Sequence, residues 1–389
     1  MNLHVQAPAA ERVTLKNATL VLPDGVAHQG SITLAGGLIE TVEADTSKGL
    51  VVDCGGDVVM PGIVDIHTDH FEKHIYPRSH VRWDALKAAL AHDAQVIGSG
   101  ITTVFDSLWV GKGEENDTRR EILAPMLDAL EAGVAAGMFK ADHLVHLRCE
   151  ITDEYVLTLL DEHYHRPIIQ VASIMDHTPG AKQSCDLSAY IERRMKETGW
   201  HRGLVEEELE RKLARVAGVV DRVRHKALAH LQTRGIALMS HDDVTVDHVA
   251  EAHGDGISIA EFPTTVEAAA AARAHNMSVV AGAPNYLRGG SQTGNVAVAE
   301  LLAENLVDIL ASDYVPRAIL DAVFAIAADE ALPMDLAATS RMASLNPARA
   351  AGLTDRGALA PGQRADLLRI GLHGSQPFVR TTWREGLPV

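Results

Sequence analysis

Cysteine is scarce in this chain. Cys54, Cys149 and Cys185 are the only three in 389 residues, with no Cys-x-x-Cys spacing. They build no disulfide framework, which fits a reducing compartment. Positive charge is also short: 35 Lys and Arg stand against 52 Asp and Glu, a net charge of −17. That balance argues against general binding to nucleic acid or to a membrane surface. An anionic substrate would need local Arg and Lys acting against the global field. Long apolar runs are missing as well. The segment EILAPMLDALEAGVAAGMF is interrupted by Asp128 and Glu131, so no membrane span is expected. The start, MNLHVQAPAAERVT, has neither a basic opening nor a long apolar core, so no signal peptide is expected and the expectation is a cytoplasmic protein. No internal repeat or low-complexity linker is present.

What remains is alternation. Short apolar β-like runs occur at 58–67, 101–106, 143–150, 168–175, 236–241, 257–262, 278–283 and 307–313, with helical patterns between them. Eight such units predict a (β/α)8 TIM barrel over residues 58–350. Turn-punctuated β segments lie before it, in residues 1–57, and after it, in residues 351–389. They predict a small β-sheet domain built from both termini. A charged helical stretch at about 187–234 is longer than one crossover needs and is read as an elaboration over the barrel mouth.

Histidine is plentiful, at 20. Polar residues gather at the C-terminal strand ends, the active end of such barrels. His67 and Asp69 share parity with Ile63, so both are expected to point into the mouth. His146, Arg148 and Glu150 share one face of the third strand, and Met239, His241 and Asp243 one face of the fifth. Asp313 ends the eighth, and His177 follows the fourth. Imidazoles suit zinc-like ions, and a carboxylate can bridge two ions. The expectation is two divalent ions, zinc or manganese, held by His67, Asp69, Glu150, His177, His241 and Asp313. The bland alternatives are capping or solvated residues; Asp313, for example, stands near the start of a helical pattern. Coincidence at five strand ends is the weaker reading. His92 and Asp93 lie in a helical pattern and are read as structural.

VVMPGIVDIHTD and GALAPGQRADLLRI resemble the opening strand and closing sheet segment of the amidohydrolase superfamily. HTDHFEKH, AHDAQVIGSGITTVFDSL, HLRCE, MDHTPG, SHDD, EFPTT and GAPNYLRGGSQTGN resemble its phosphonate-metabolism branch. That resemblance implies a diphosphatase, a hydrolase of phosphoric anhydrides. Its substrate would be α-D-ribose 1-methylphosphonate 5-triphosphate or a close analogue, cleaved to pyrophosphate and the 5-phosphate. It also implies that Asp313 binds metal and takes the proton of the attacking water. Many superfamily members use a carboxylated lysine as bridge. Lys140 precedes its strand and sits at the wrong barrel end, so Glu150 is the expected bridge. The branch's loop reads Gly-Gly-Ser-His-Ser-Gly-Asn, whereas this chain has Gln292 and Thr293 there, which removes an imidazole near the phosphates.

Substrate contacts are expected from Lys73, His74, Arg148, Arg288, Gly289, Gly290 and Ser291. The Gly-rich loop follows strand seven, where barrels commonly bind phosphate through backbone N–H groups. A helix starting near Asn295 would add its positive end. His70 and Glu72 lie close enough in sequence to serve phosphate or the ligands. Asp242 and Asp243 are candidates to orient a ligand or water, and Lys182, Arg193 and Arg194 to reach in from the elaboration. A C–N hydrolase, either a cyclic amidase or a phospho-sugar deacetylase, is the alternative, since a metal centre alone does not separate C–N from P–O chemistry. A non-catalytic scaffold is disfavoured because none of the six expected ligands is missing. A homo-oligomer is compatible with the architecture.

Overall fold

The computed structural model describes residues 12–43, 49–78, 80–111, 119–182, 187–291 and 294–389. Cys185, Gln292, Thr293 and residues 1–11 fall outside the described residues. The middle of the chain forms eight parallel strands in sequence order: Ile63–Thr68, Ile101–Val110, Asp142–Glu150, Ile169–Met175, Ala237–His241, Ile259–Glu261, Ser278–Gly282 and Ile309–Ala311. Thr68 and Asp313 form the parallel bridge that closes the eighth strand onto the first. The expected barrel is therefore present.

Two apolar layers hold it. Val64, Ile66, Phe105, Val171, Met239, Ile259, Val280 and Ile309 fill the interior. Ile63, Val104, Val145, Leu147, Ala172, Ala260 and Leu310 face the surrounding helices. Strands buried on both faces explain the near-continuous apolar runs in the sequence.

The run at 58–67 is two strands, not one. Val58–Pro61 pairs with Leu367–Ile370 in the small sheet, and Ile63–Thr68 opens the barrel. Gly62 joins them because a Cβ there would lie 2.2 Å from Thr102 Oγ1. The small sheet takes Val13–Leu22, Gly25–Ala35, Leu38–Val42 and Leu50–Asp53 from one end of the chain. From the other it takes Leu367–His373, Gln376–Arg384 and Leu387–Pro388. Its own core includes Leu15, Leu20, Ile32, Leu34, Leu367 and Trp383. Asp142 anchors the barrel's N-terminal end to the C-terminal segment through Arg356, Arg364 and Arg384.

The charged stretch after strand four forms three helices, Leu187–Thr198, Arg202–Val216 and Val220–Gln232. The first two share a separate cluster of Tyr190, Ile191, Val205 and Leu209. The third buries Val223, Ala227, Leu228 and Leu231 in the main core. It is the ordinary crossover to strand five, so the elaboration is shorter than the sequence suggested. No described helix is long and apolar enough to cross a membrane.

Candidate active site

The first strand breaks its alternation before reaching the mouth. Asp65 Oδ1 accepts from the His67 N–H at 3.2 Å. The pairing to strand two shifts register between Asp65 and Thr68. A side chain bonding its own backbone two residues on competes with the ladder in this way. Val64 and Ile66 face the barrel interior and Ile63 faces outward, so the parity expected from Ile63 is reversed. His67 reaches the mouth because of the irregularity.

Glu261, absent from the expected site, organises the centre. Its two carboxylate oxygens lie 2.6 Å from His67 Nδ1 and 2.6 Å from His241 Nδ1. It is wholly buried. Burial alone would raise its pKa, but the imidazoles of His67, His146 and His241 hold it well below the usual carboxylate range. An ionised Glu261 accepts from both Nδ1–H groups and leaves Nε2 of His67 and His241 as lone-pair donors. His146 sits beside His67 at a centroid separation of 5.4 Å. Its Nδ1 is 3.2 Å from the Ile66 carbonyl, its Nε2 has no partner, and burial pushes it down to about 3.

The remaining expected ligands converge around these rings. Asp69 N–H donates to the Asp313 carbonyl and Asp313 N–H to the His67 carbonyl, each at 3.0 Å. Asp313 has φ +55°, and Asp242 and Phe262 are also left-handed, at +53° and +56°. Such strain at the ends of strands is a common mark of functional sites. Burial raises the Asp313 pKa, with His67 opposing and Asp69 reinforcing the shift. Asp313 caps no helix, since the next begins at Ala318 with Arg317 before it. Glu150 accepts from Thr152 Oγ1 at 2.6 Å and is hydrogen-bonded to His177 Nδ1. Burial would raise Glu150, but His177 and Thr152 hold it low. His177 and His241 rings are 5.8 Å apart.

Two groups here have the spacing to hold a cation: His67 with His146 and Glu261, and His177 with His241 and Asp242. Asp69 Oδ1 and Asp243 Oδ2 are buried acceptors without a hydrogen-bond partner, and Asp242 Oδ2 lies 3.3 Å from His241 Nε2. Imidazole lone pairs and bare carboxylate oxygens together fit divalent ions. Lys140 is exposed at the opposite end of the third strand, with its N–H bonded to Asp93.

Basic side chains reach the rim. Arg148 Nη1 is 4.0 Å from Asp69 Oδ2. Arg288 Nη1 lies 3.3 Å from the Tyr314 hydroxyl, and Lys73 Nζ 3.3 Å from the Tyr314 carbonyl. Arg288, Gly290, Ser291, Asp242 and Asp313 line one cleft. Tyr314, between the two cations, had no signal beyond its adjacency to Asp313. Lys182 pairs with Asp243 at 2.9 Å, whereas Arg194 pairs with Glu208 within the elaboration. His74 packs against His70 and His92. Burial and the neighbouring His92 and His74 push His70 down to about 4.

The glycine loop departs from expectation. Gly289 and Gly290 close the helix Ala283–Arg288. Gly289 N–H donates to the Tyr286 carbonyl at 3.0 Å and Gly290 N–H to the Asn285 carbonyl at 2.9 Å. Both amides are spent on the helix C-terminus, a cap that favours a left-handed glycine, so neither faces an anion. The following helix begins at Val298, not near Asn295, and Asn285 Oδ1 takes its first N–H.

Residues 58–386 match the model of the amidohydrolase family. The chain is 38% identical over 376 residues to alpha-D-ribose 1-methylphosphonate 5-triphosphate diphosphatase of Escherichia coli (strain K12), covering 96% of this chain and 99% of that protein. Solved structures of similar fold include the L-hydantoinase of Arthrobacter aurescens, with TM-score 0.57, 16% identity and coverage of 97% and 95% of the two chains. N-acetylglucosamine-6-phosphate deacetylase of Pasteurella multocida gives TM-score 0.60, 12% identity and coverage of 96% and 98%. With the barrel, the polar mouth and a match that runs from the first barrel strand into the closing sheet, the chain belongs to the amidohydrolase family.

Proposed function

We propose that this protein hydrolyses α-D-ribose 1-methylphosphonate 5-triphosphate, or a close analogue, to pyrophosphate and the ribosyl 5-phosphate. The observation that carries the reading is the likeness to the Escherichia coli diphosphatase across nearly the whole of both chains. The basic rim beside Asp313 supports it. His67, Asp69, Glu150, His177, His241 and Asp313 would hold two divalent ions, zinc or manganese. Such ions acidify bound water and offset charge on phosphoryl oxygens.

The chain's own residues do the rest. Glu261 fixes the tautomers of His67 and His241, and Thr152 steadies Glu150. Arg288 and Lys73, placed on either side of Tyr314, hold the distal phosphates, with Ser291 on the same cleft. Arg288 offers a planar fork suited to phosphate oxygens. That grip sets the phosphorus nearest the sugar beside Asp313. A water attacks this phosphorus, Asp313 takes its proton, and the bond to the bridging oxygen breaks to release pyrophosphate. Gly289 and Gly290 shape the loop, their N–H groups already given to the Tyr286 and Asn285 carbonyls. The C–N hydrolase alternative retains support only from fold likeness to the hydantoinase and the deacetylase.

The test is hydrolysis in isotopically heavy water with added zinc or manganese. Label is expected in the ribosyl 5-phosphate and not in pyrophosphate. Arg288→Ala should weaken substrate use and give mixed products. Orthophosphate as the sole small product, or label only in pyrophosphate, would overturn the placement.

A further inference from the structure

A second group of imidazoles meets outside the ligand set of the mouth. His70 and His74 lie one turn apart on the helix His70–Ile75, and His92 lies on the neighbouring helix Ala85–Gly98. Ring centroids are 5.0 Å apart for His70 and His74, 5.8 Å for His70 and His92, and 5.7 Å for His74 and His92. One ring nitrogen from each lies within 4.8 Å of the other two. His70 Nδ1, His74 Nε2 and His92 Nδ1 are all buried without a hydrogen-bond partner. Buried polar atoms are nearly always paired, so three such nitrogens in one group need a cause.

The outer contacts of these rings supply a clue. His92 is wholly buried, and its Nε2 lies 2.7 Å from Asp106 Oδ1. Asp106 Oδ2 lies 2.7 Å from His143 Nδ1, and His143 Nε2 lies 3.3 Å from Asp93 Oδ1. Asp93 is fixed by the N–H groups of Lys140 and Ala141. With Asp106 accepting from Nε2–H, His92 keeps the lone pair of Nδ1 free beside His70 and His74. A carboxylate behind an imidazole is the usual support of a metal-binding histidine. Gln95 plays the same part behind His74. His92, Asp106 and His143 are also close enough to hold an ion, but their facing atoms are already joined by hydrogen bonds. The three unpaired nitrogens have no such explanation.

We infer that His70, His74 and His92 form a tri-imidazole site for a zinc-class divalent ion, distinct from the centre at the mouth. Three nitrogen donors with no carboxylate favour zinc-like ions over magnesium, calcium or manganese. A tetrahedral zinc site places its nitrogens roughly 3.4 Å apart, so the rings close inward on binding. Water takes the fourth position. The ion ties the segment just after Asp69 to the helix that follows in the chain.

The test counts zinc in chelator-stripped, full-length protein reloaded with zinc alone and read by mass spectrometry. His74→Gln should hold one equivalent fewer than the parent. The double variant His177→Ala with His241→Ala should still hold at least one equivalent, and adding His74→Gln should remove one equivalent from it. Circular dichroism checks the fold, and His70→Gln gives the same count should His74→Gln fail to fold. No hydrolysis is measured, so failure of the proposed activity leaves this result intact. Equal zinc in the parent and in the folded single variant would overturn the site. So would a mouth variant that holds none.

Discussion

Replacing Glu261 by Gln keeps the volume and removes one charge at the centre of the mouth. Glu261 accepts two buried hydrogen bonds of 2.6 Å, from His67 and His241. Charge-assisted bonds of this kind are worth about 1.5–3 kcal/mol each. A glutamine can accept from only one ring, as a neutral bond worth about 1 kcal/mol. Its NH2 meets the other Nδ1 and forces that imidazole into the tautomer with hydrogen on Nε2, which is no longer a metal donor. The expected cost is about 2–5 kcal/mol in the stability of the apo chain. Metal affinity should fall about 10- to 100-fold, the usual effect of removing a ligand's outer partner. A chelator competition gives the affinity, and denaturant unfolding of the stripped protein gives the stability. Unchanged affinity and an unchanged midpoint would refute Glu261 as the organiser.

Asp313→Asn should abolish turnover while the chain stays folded and keeps some metal, because an amide takes no proton from water; near-native turnover across pH would remove Asp313 from the reaction. Lys140→Ala should keep metal content and most activity, since Lys140 is exposed at the far end of its strand; lost activity restored by short-chain carboxylic acids would make it the bridge. Asp142→Asn should lower the unfolding free energy by roughly 2 kcal/mol, discounted for partial exposure, with kcat unchanged, because its three arginines lie away from the mouth. Burial would raise Asp142, but Arg364 and Arg384 hold it below the usual carboxylate value. Its contribution is therefore present above that value and lost as pH falls through the lower folded one, and parent and variant should converge in acid.

The barrel was legible because buried parallel strands must be apolar on both faces, and eight such runs stand out between helical patterns. The placement of His67, Asp69, Glu150, His177, His241 and Asp313 at or just past strand ends was legible because each closes or follows such a run. The route of His67 into the mouth was not. It depends on Asp65 bonding a backbone N–H, and parity counting assumes a strand without that fault. Glu261 left a signal, a carboxylate ending the apolar run ISIA, but nothing local says that it serves two rings from other strands. The glycine loop misled because the short helix before it was not expected, and the cap of that helix consumes both N–H groups. Tyr314 gained its position only from the side chains that fold around it.

The bridge between Thr68 and Asp313 has a consequence for biosynthesis. The two residues are 245 apart in sequence, yet their pairing both shuts the ring and brings Asp313 beside His67 and Asp69. A chain emerging from the ribosome carries His67 and Asp69 long before Asp313 exists. Until the last strand docks, these side chains face water with no partner opposite. The polar mouth is therefore complete only when the eighth strand docks, and a chain terminated before that strand lacks the residue that stands beside His67 and Asp69.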